Sequence, residues 1–384
     1  MSRKVAIVAV AQTKYEQSKP FVDILELPYE VVTNVVEQTG LEFAEEGGID
    51  ATVTCTQDWW DGNTISSMRY METVGGHLRP AETITNDGAY GVYYALLQIL
   101  GGHYDVVLVY SGCKESQVVD AKRIENIGFE PFYHRLLGLD FLSAAALQAK
   151  RYMYKYGITP EQCAKVVVKN RKNAKNNPYA QAPADLEVSD VLNSPILAYP
   201  IRLLDTKPIS DGACALILAE EEKAKRITSK PVWIEGVGVC YDSHYLGDRD
   251  LADCPALEMA AKQAYHMAGI TNPWREIDVG EISESCSYQE LLWCEGLGLC
   301  GRGEGGKLID SGRTELGGEL PVNPSGGVLS GNPVTVAGLT RVAEAVLQLR
   351  GEAGKRQVPG ARVALAHGQG GVCGQMQCVT ILKK

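Results

Sequence analysis

No stretch of this chain is apolar for the roughly 20 residues that a membrane-crossing helix takes, and none has the build of a signal peptide. The apolar run at residues 5–10 is too short for either and reads as a first strand. Positive charge is scarce: 37 Lys and Arg stand against 47 Asp and Glu, a formal balance of −10. A general nucleic-acid binder needs a basic surface, so that class is excluded, while a local basic patch for an anionic ligand is not. Cys-x-x-Cys pairs are missing too. The eleven cysteines are odd in number, and several sit inside apolar runs such as Asp211-Gly-Ala-Cys214-Ala-Leu-Ile-Leu218. That pattern argues against a disulfide framework and against a zinc site within the chain. Most of the thiols should behave as small buried hydrophobes. The expectation is a cytoplasmic protein with no membrane, no nucleic acid and no metal of its own.

What is present is the make-up of an ordinary globular protein, 45 % apolar and 22 % charged. At 384 residues the chain is too long for one simple core and should form two domains, or two halves of one body. Buried-strand runs lie at 5–10, 49–55, 83–86 and 105–111, and helical spacing at 25–38 and 90–100 is stopped by glycine in each case. From 112 to about 208 the chain is richer in Lys, Arg, Asn and Tyr, with helical stretches at 141–156 and 160–175. It reads as an insertion carried on the first half, and a strand at 211–218 follows it. From 231 the alternation restarts, with strands at 232–240, 277–283, 361–367 and 376–382 and helices at 255–268, 291–298 and 334–349. The expected division is therefore 1–230, including a loop domain at 112–208, and 231–384. Asp87-Gly-Ala-Tyr-Gly91 leads into one apolar helix and Gly331-Asn-Pro333 into another, which points to a duplicated α/β unit with sheets sandwiching helices.

The last hundred residues carry the most specific segments. In order they are Glu281-Ile-Ser-Glu-Ser-Cys286-Ser-Tyr-Gln-Glu290-Leu-Leu, Pro321-Val-Asn-Pro-Ser-Gly-Gly327, Gly331-Asn-Pro333 and Leu365-Ala-His367-Gly-Gln-Gly-Gly371. One glycine-rich loop is weak evidence, but this succession resembles the C-terminal half of the thiolase superfamily, in its sterol-carrier-protein-type branch. The resemblance extends over nearly the whole chain. It implies a duplicated α/β fold, two mixed five-stranded sheets in an α-β-α-β-α sandwich with an inserted loop domain. It also implies work on acyl-coenzyme A thioesters.

By that resemblance, a cysteine at a strand-to-helix turn should accept the acyl group, its thiolate favoured by the helix N-terminus. The matching run is Thr85-Asn-Asp-Gly88-Ala-Tyr-Gly91, so the nucleophile position is Gly88, which cannot form an acyl-enzyme. Either Gly88 only makes the turn, or its missing side chain opens room for a bulky or aromatic acyl group near Tyr90 while its N–H faces a thioester oxygen. In the next segment Ser283 stands where the branch has a histidine. Cys286 is a displaced thiol, either a surrogate nucleophile or a buried structural group, with Tyr288 and Glu284 as weaker acid/base candidates. Asn332 replaces the family's Gly-His-Pro histidine and could donate to an oxyanion but could not act as a base. His367 matches a family histidine, either structural or proton-transferring, and Cys373 is a second candidate thiol. Gly370 and Gly371 would let a thioester approach the backbone.

In the family the inserted segment covers coenzyme A, so Lys114, Lys122, Arg123, His134 and Arg135, among Phe129, Phe132 and Tyr133, are the candidate phosphate and adenine contacts. Adjacent Trp59 and Trp60 suggest a subunit contact or an aromatic pocket wall. The implied activity is an acyltransferase that cleaves or forms a carbon–carbon bond next to a thioester, through a surrogate thiol or by direct attack of coenzyme A. A retro-aldolase and a non-catalytic coenzyme-A-binding or scaffold subunit are the alternatives. No covalently bound cofactor is expected, with coenzyme A acting as substrate. The resemblance further implies a homodimer core and a small partner subunit with a zinc ribbon and an OB-like domain.

Overall fold

The computed structural model describes residues 3–43, 47–61 and 67–384; the side chains of Trp59, Asp61 and Ser67 lie outside that description, as does Gly62. Five strands of the first half form the sheet order β3-β2-β4-β7-β1 and four of the second continue it as β8-β11-β10-β9. Their ranges are β1 Val5–Gln12, β2 Ala51–Cys55, β3 Ala81–Ile84, β4 Val106–Lys114, β7 Asp211–Glu220, β8 Val232–Tyr241, β9 Val279–Glu281, β10 Val363–Gly370 and β11 Met376–Lys383. The short pair β5 (Ile196–Ala198) and β6 (Ile201–Arg202) forms a separate ribbon. The expected fold class holds, with one correction to the sheets. The two halves are joined edge to edge, Ala6 opposite Trp233 and Ile7 opposite Val232, so the strands run as one nine-stranded sheet. The fifth place of the second half shrinks to a single parallel bridge between Gly280 and Val322.

Strand alternation sorts side chains between layers. On β7, Cys214, Leu216 and Leu218 enter one core, while Ala213, Ala215, Ile217 and Ala219 enter another. The first of these cores lies between the two halves and contains the helices Gly88–Leu100 and Ala337–Arg350. The second is covered by the helix Glu26–Thr39 through Leu27, Val31, Val32 and Val35. On the far side, Pro255–Ala268 and Ser287–Gly296 close the core of the second half. The layers are thus helix, the first half's strands, paired inner helices, the second half's strands, helix, the two strand layers being parts of the one sheet.

Between β4 and β7 lie the helices Ala121–Ile127, Phe141–Tyr156 and Pro160–Ala174. The last two open with reciprocal capping boxes, Asp140 with Ser143 and Thr159 with Gln162, which satisfy backbone donors that a helix start leaves unpaired. No helix among the described residues is long and apolar enough to cross a membrane.

Candidate functional site

Above the N-terminal ends of the two inner helices opens a cavity of about 1280 Å³, larger than the roughly 300–1,000 Å³ of most ligand pockets. Its floor contains Asn86, Asp87, Ser283, Gln289, Gln369 and Gly370, and its walls include Trp60, Phe129, Phe141, Leu142, Leu203 and Val328.

Asp87 caps the helix Gly88–Leu100: one carboxylate oxygen accepts the N–H of Ala89 (3.0 Å) and the other accepts the N–H of Gly338 (2.7 Å), at the start of the second inner helix. Two helix N-termini thus converge on one buried carboxyl. Burial pushes its pKa up to about 7, against the pull of these donors. The sequence marks Asp87 only as a helix-start signal, an aspartate opening an apolar helix, which does not by itself set it apart as a site residue.

Gly88 itself is off the cavity wall. An added Cβ would run into Leu339 of the second inner helix, and its N–H donates to the Thr335 carbonyl at 2.8 Å. The missing side chain therefore opens no room for an acyl group, and that N–H is already engaged. Tyr90 is buried against Ala89 and Cys378 and likewise lies off the wall.

Beyond β10 the chain turns through Gly371 (φ 68°), Cys373 (φ 51°) and Gly374 (φ 61°), left-handed backbone that turns successive N–H groups toward one side. Among the described residues, no acceptor engages the N–H groups of Gly371, Val372, Cys373 or Gly374, and all four residues line the cavity. Across from them, Gln369 Nε2 donates to the Ser283 carbonyl (2.9 Å) and to Gln289 Oε1 (3.3 Å). Ser283 lies in the cavity wall.

His367 is fully buried behind this wall, with both ring nitrogens in use. Gln377 Nε2 donates to the Gly374 carbonyl (2.7 Å), so Gln377 Oε1 must accept from His367 Nε2 (2.6 Å), and Nδ1 accepts the N–H of Ser283 (3.4 Å). Burial pulls the ring pKa down to about 4, so the imidazole is a neutral brace and not a group facing substrate. Asn332 is also off the wall: its Oδ1 accepts from Arg341 Nη2 (2.8 Å), and Arg341 Nη1 reaches Glu281 (2.8 Å) and Ser325 (2.7 Å).

Cys286 is buried, caps the helix Ser287–Gly296 and lines no part of the cavity. Burial pushes its thiol well above the ordinary value. Glu284, raised by burial and by Glu290, is locked to Asn323 (2.9 Å) and Asn170 (3.1 Å), and Tyr288 donates to Gln148 at 2.8 Å. Among the described residues Cys373 is the only thiol in the cavity wall. Its Sγ donates to the Ala144 carbonyl (3.3 Å) and burial pushes its pKa up to about 12, so it stays protonated at neutral pH.

The candidate cations are not gathered at the cavity. Lys114 is buried and donates to the carbonyls of Lys19 (2.8 Å) and Val22 (2.5 Å). Lys122 faces Asp140 (3.7 Å) and Arg123 faces Asp120 (3.2 Å), both on the surface. His134 stacks on Tyr245 at 5.0 Å, and Arg135 ties its own loop together through the Phe129 and Ile127 carbonyls. The cations that do line the cavity are Lys14 and Lys207, the latter paired with Glu115 at 2.8 Å. Of the tryptophan pair, Trp60 forms part of the wall.

So the sequence-derived residues that meet at the cavity are Ser283, Gly370, Gly371 and Cys373, with Trp60 and Phe129 in its aromatic wall. Residues 238–384 match the family described as thiolase C-terminal domain-like. An acetyl-CoA acetyltransferase of Methanothermobacter thermautotrophicus is 35 % identical over 381 residues, covering 97 % of each chain. The benzoylsuccinyl-CoA thiolase subunit BbsB of Thauera aromatica is 31 % identical, over 97 % of this chain and 96 % of that one. Among solved structures, the Ltp2-ChsH2(DUF35) aldolase superposes with a TM-score of 0.84 at 26 % identity, covering 99 % of this chain and 97 % of that one. With such relatives matched over nearly their whole length, and a duplicated α/β architecture with the cavity at the N-terminal ends of its inner helices, the chain belongs to the thiolase family.

Proposed function

We propose that this protein cleaves or forms the carbon–carbon bond next to a coenzyme A thioester without passing through an acyl-enzyme. The observation that carries this is the filled space at Gly88, where Leu339 occupies the volume a nucleophilic side chain would need. The only cavity thiol among the described residues, Cys373, is held protonated by burial, and a thiol attacks poorly compared with its thiolate. Coenzyme A itself is then the nucleophile. The unengaged N–H groups of the 371–374 turn suit a developing oxyanion, and the apolar walls suit a bulky or aromatic β-ketoacyl group. The relatives named as an acetyltransferase and as a thiolase subunit support the reaction type. A retro-aldol cleavage of a β-hydroxyacyl thioester is the second reading, favoured by the superposition on a structure named as an aldolase. That structure and the subunit BbsB both belong to assemblies by name, which supports a partner subunit here; that the partner is small and the core a homodimer is part of the same proposal.

Purified protein, alone and with candidate partner subunits encoded beside it, should cleave aromatic β-ketoacyl-CoA only when free coenzyme A is added. Cleavage of β-hydroxyacyl-CoA without coenzyme A would select the aldolase reading, and turnover of neither would leave a binding subunit. Acid-quenched protein should carry no acyl group by mass spectrometry. Cys286→Ala should keep its rate within about threefold, and Cys373→Gly, suited to the left-handed backbone there, within about tenfold. A covalently acylated Cys373 would sink the direct route.

A further inference from the structure

Four carboxyl groups line the cavity: Glu16, Asp87, Glu115 and Glu125. Glu16 faces Lys19 (3.1 Å) at the surface, and Glu115 is committed to Lys207 (2.8 Å) and to the N–H groups of Ser210 and Val334 (both 2.9 Å). Glu125 accepts the N–H of Phe141 (2.9 Å) under the inserted segment, away from the inner helices. Asp87 is the one placed at the floor. A Cβ on Gly338 or on Gly368 would run into its Oδ1, and one on Gly370 into Asn86 Oδ1. The carboxyl therefore lies directly beneath the end of β10, which leads into the turn with unengaged N–H groups. The glycines at 338 and 368 are what allow it to sit there. Each carboxylate oxygen accepts one N–H and keeps a lone pair for a second partner.

Resting on the reading above, we propose that Asp87 is the proton carrier of this site: it takes the proton of the coenzyme A thiol and returns it to the α-carbon of the departing thioester. The thiolate sulfur forms a bond to the β-carbon, and the former ketone oxygen becomes an alkoxide facing the 371–374 turn. Collapse of the alkoxide breaks the bond between the α- and β-carbons. The electron pair passes to the enolate of the leaving thioester, which takes the proton from Asp87. Two thioesters leave, the carboxylate is restored, and no oxidant or reductant is consumed. Run backwards, the same carboxylate removes the α-proton for condensation. The ionisable groups facing Asp87 are the thiols of Cys55 on β2 and Cys378 on β11, Tyr90 on its own helix and, with opposite charge, Arg341 on the other inner helix. A carboxyl whose pKa burial has pushed up to about 7 exchanges protons readily at neutral pH.

The test is exchange of the α-protons of acetyl-CoA for deuterium in heavy water, followed by mass spectrometry, together with cleavage rate and coenzyme A affinity. Asp87→Asn and Asp87→Ser should lose at least 100-fold in both exchange and cleavage, in line with the roughly 10²–10⁴-fold worth of general acid–base catalysis. Coenzyme A affinity should stay within about threefold. Asp87→Ser keeps an oxygen to cap Ala89, so at least one folded variant is expected. Asp87→Glu should restore part of the rate with a displaced pH profile, which a purely structural cap would not do. Folded variants that exchange at the wild-type rate overturn the role of Asp87. A wild type that binds coenzyme A but neither exchanges nor cleaves overturns the reading of the site instead.

Discussion

At Gly88 an added Cβ would run into Leu339, and the resulting overpacking has a typical cost of about 1–3 kcal/mol. Gly88→Ala should lose that much in urea denaturation, and Leu339→Ala alone about 2–5 kcal/mol. Combined, the two should lose less than their sum by about 1 kcal/mol or more, because the second opens the space the first requires; strict additivity would show that the two sites are not in conflict. His367 permits a test by pH. Its ring titrates near 6.5 when free and near 4 when buried, so between those values the unfolded chain binds a proton that the folded chain refuses. That contribution to stability is full above pH 6.5 and is lost as pH falls towards 4, on the order of 3 kcal/mol. The raised Asp87 works the opposite way, its contribution fading as pH rises through about 7. His367→Gln should therefore be less stable than wild type at pH 7, with the gap narrowing towards pH 4. A gap independent of pH would mean that the ring is not buried as a neutral base.

On β8, Gly236 and Gly238 are the surface on which the helix Pro255–Ala268 rests. A Cβ at either would run into a helix carbonyl, that of Ala264 or Ala260, and the helix presents Ala260, Ala261, Ala264 and Ala268 in return. Gly238→Ala should cost about 3 kcal/mol or more, because backbone cannot swing aside as a side-chain tip can. Gly280→Ala on β9 is the control: its Cβ would meet only Val322, at 3.7 Å, and should change stability by about 1 kcal/mol or less. Elements of this kind were legible in the sequence, since period and glycine stops report local backbone. Their edges were less so. The helix expected at 291–298 begins at Ser287 because Cys286 and Gln289 cap it, and the one expected at 334–349 begins at Ala337. In the site, Ser283, Gly370, Gly371 and Cys373 were legible because they lie in loops whose order is distinctive. The cations were not, because a lysine's partner is a tertiary fact: Lys114 turns inward to two carbonyls on the segment after β1. Asp87 was legible only as a helix start.

The molecule as a whole is sewn together along the inner helices. One core takes Ile7, Val53, Leu96 and Val109 from the first half with Val279, Leu339, Val346 and Ala366 from the second. Gln12 donates to Glu344 (2.7 Å), Tyr15 bonds with Thr340 (2.7 Å), Arg350 reaches the Ile7 carbonyl (3.2 Å), and Asp87 binds Gly338 (2.7 Å). Every one of these links joins a residue before 221 to one after 278. If either half unfolded alone, it would expose the apolar face of the other's inner helix to water, an expensive state. Chains of this size often unfold in stages, domain by domain, but here the shared core leaves no half with a complete interior. Calorimetry should therefore give a single transition whose van't Hoff and calorimetric enthalpies agree within about 20 %. Fragments 1–230 and 231–384, expressed apart, should lack a cooperative transition and should regain one on mixing. Two resolved transitions in the intact chain, or one fragment folding by itself, would mean that the central layer is an interface between independent bodies and not a common core.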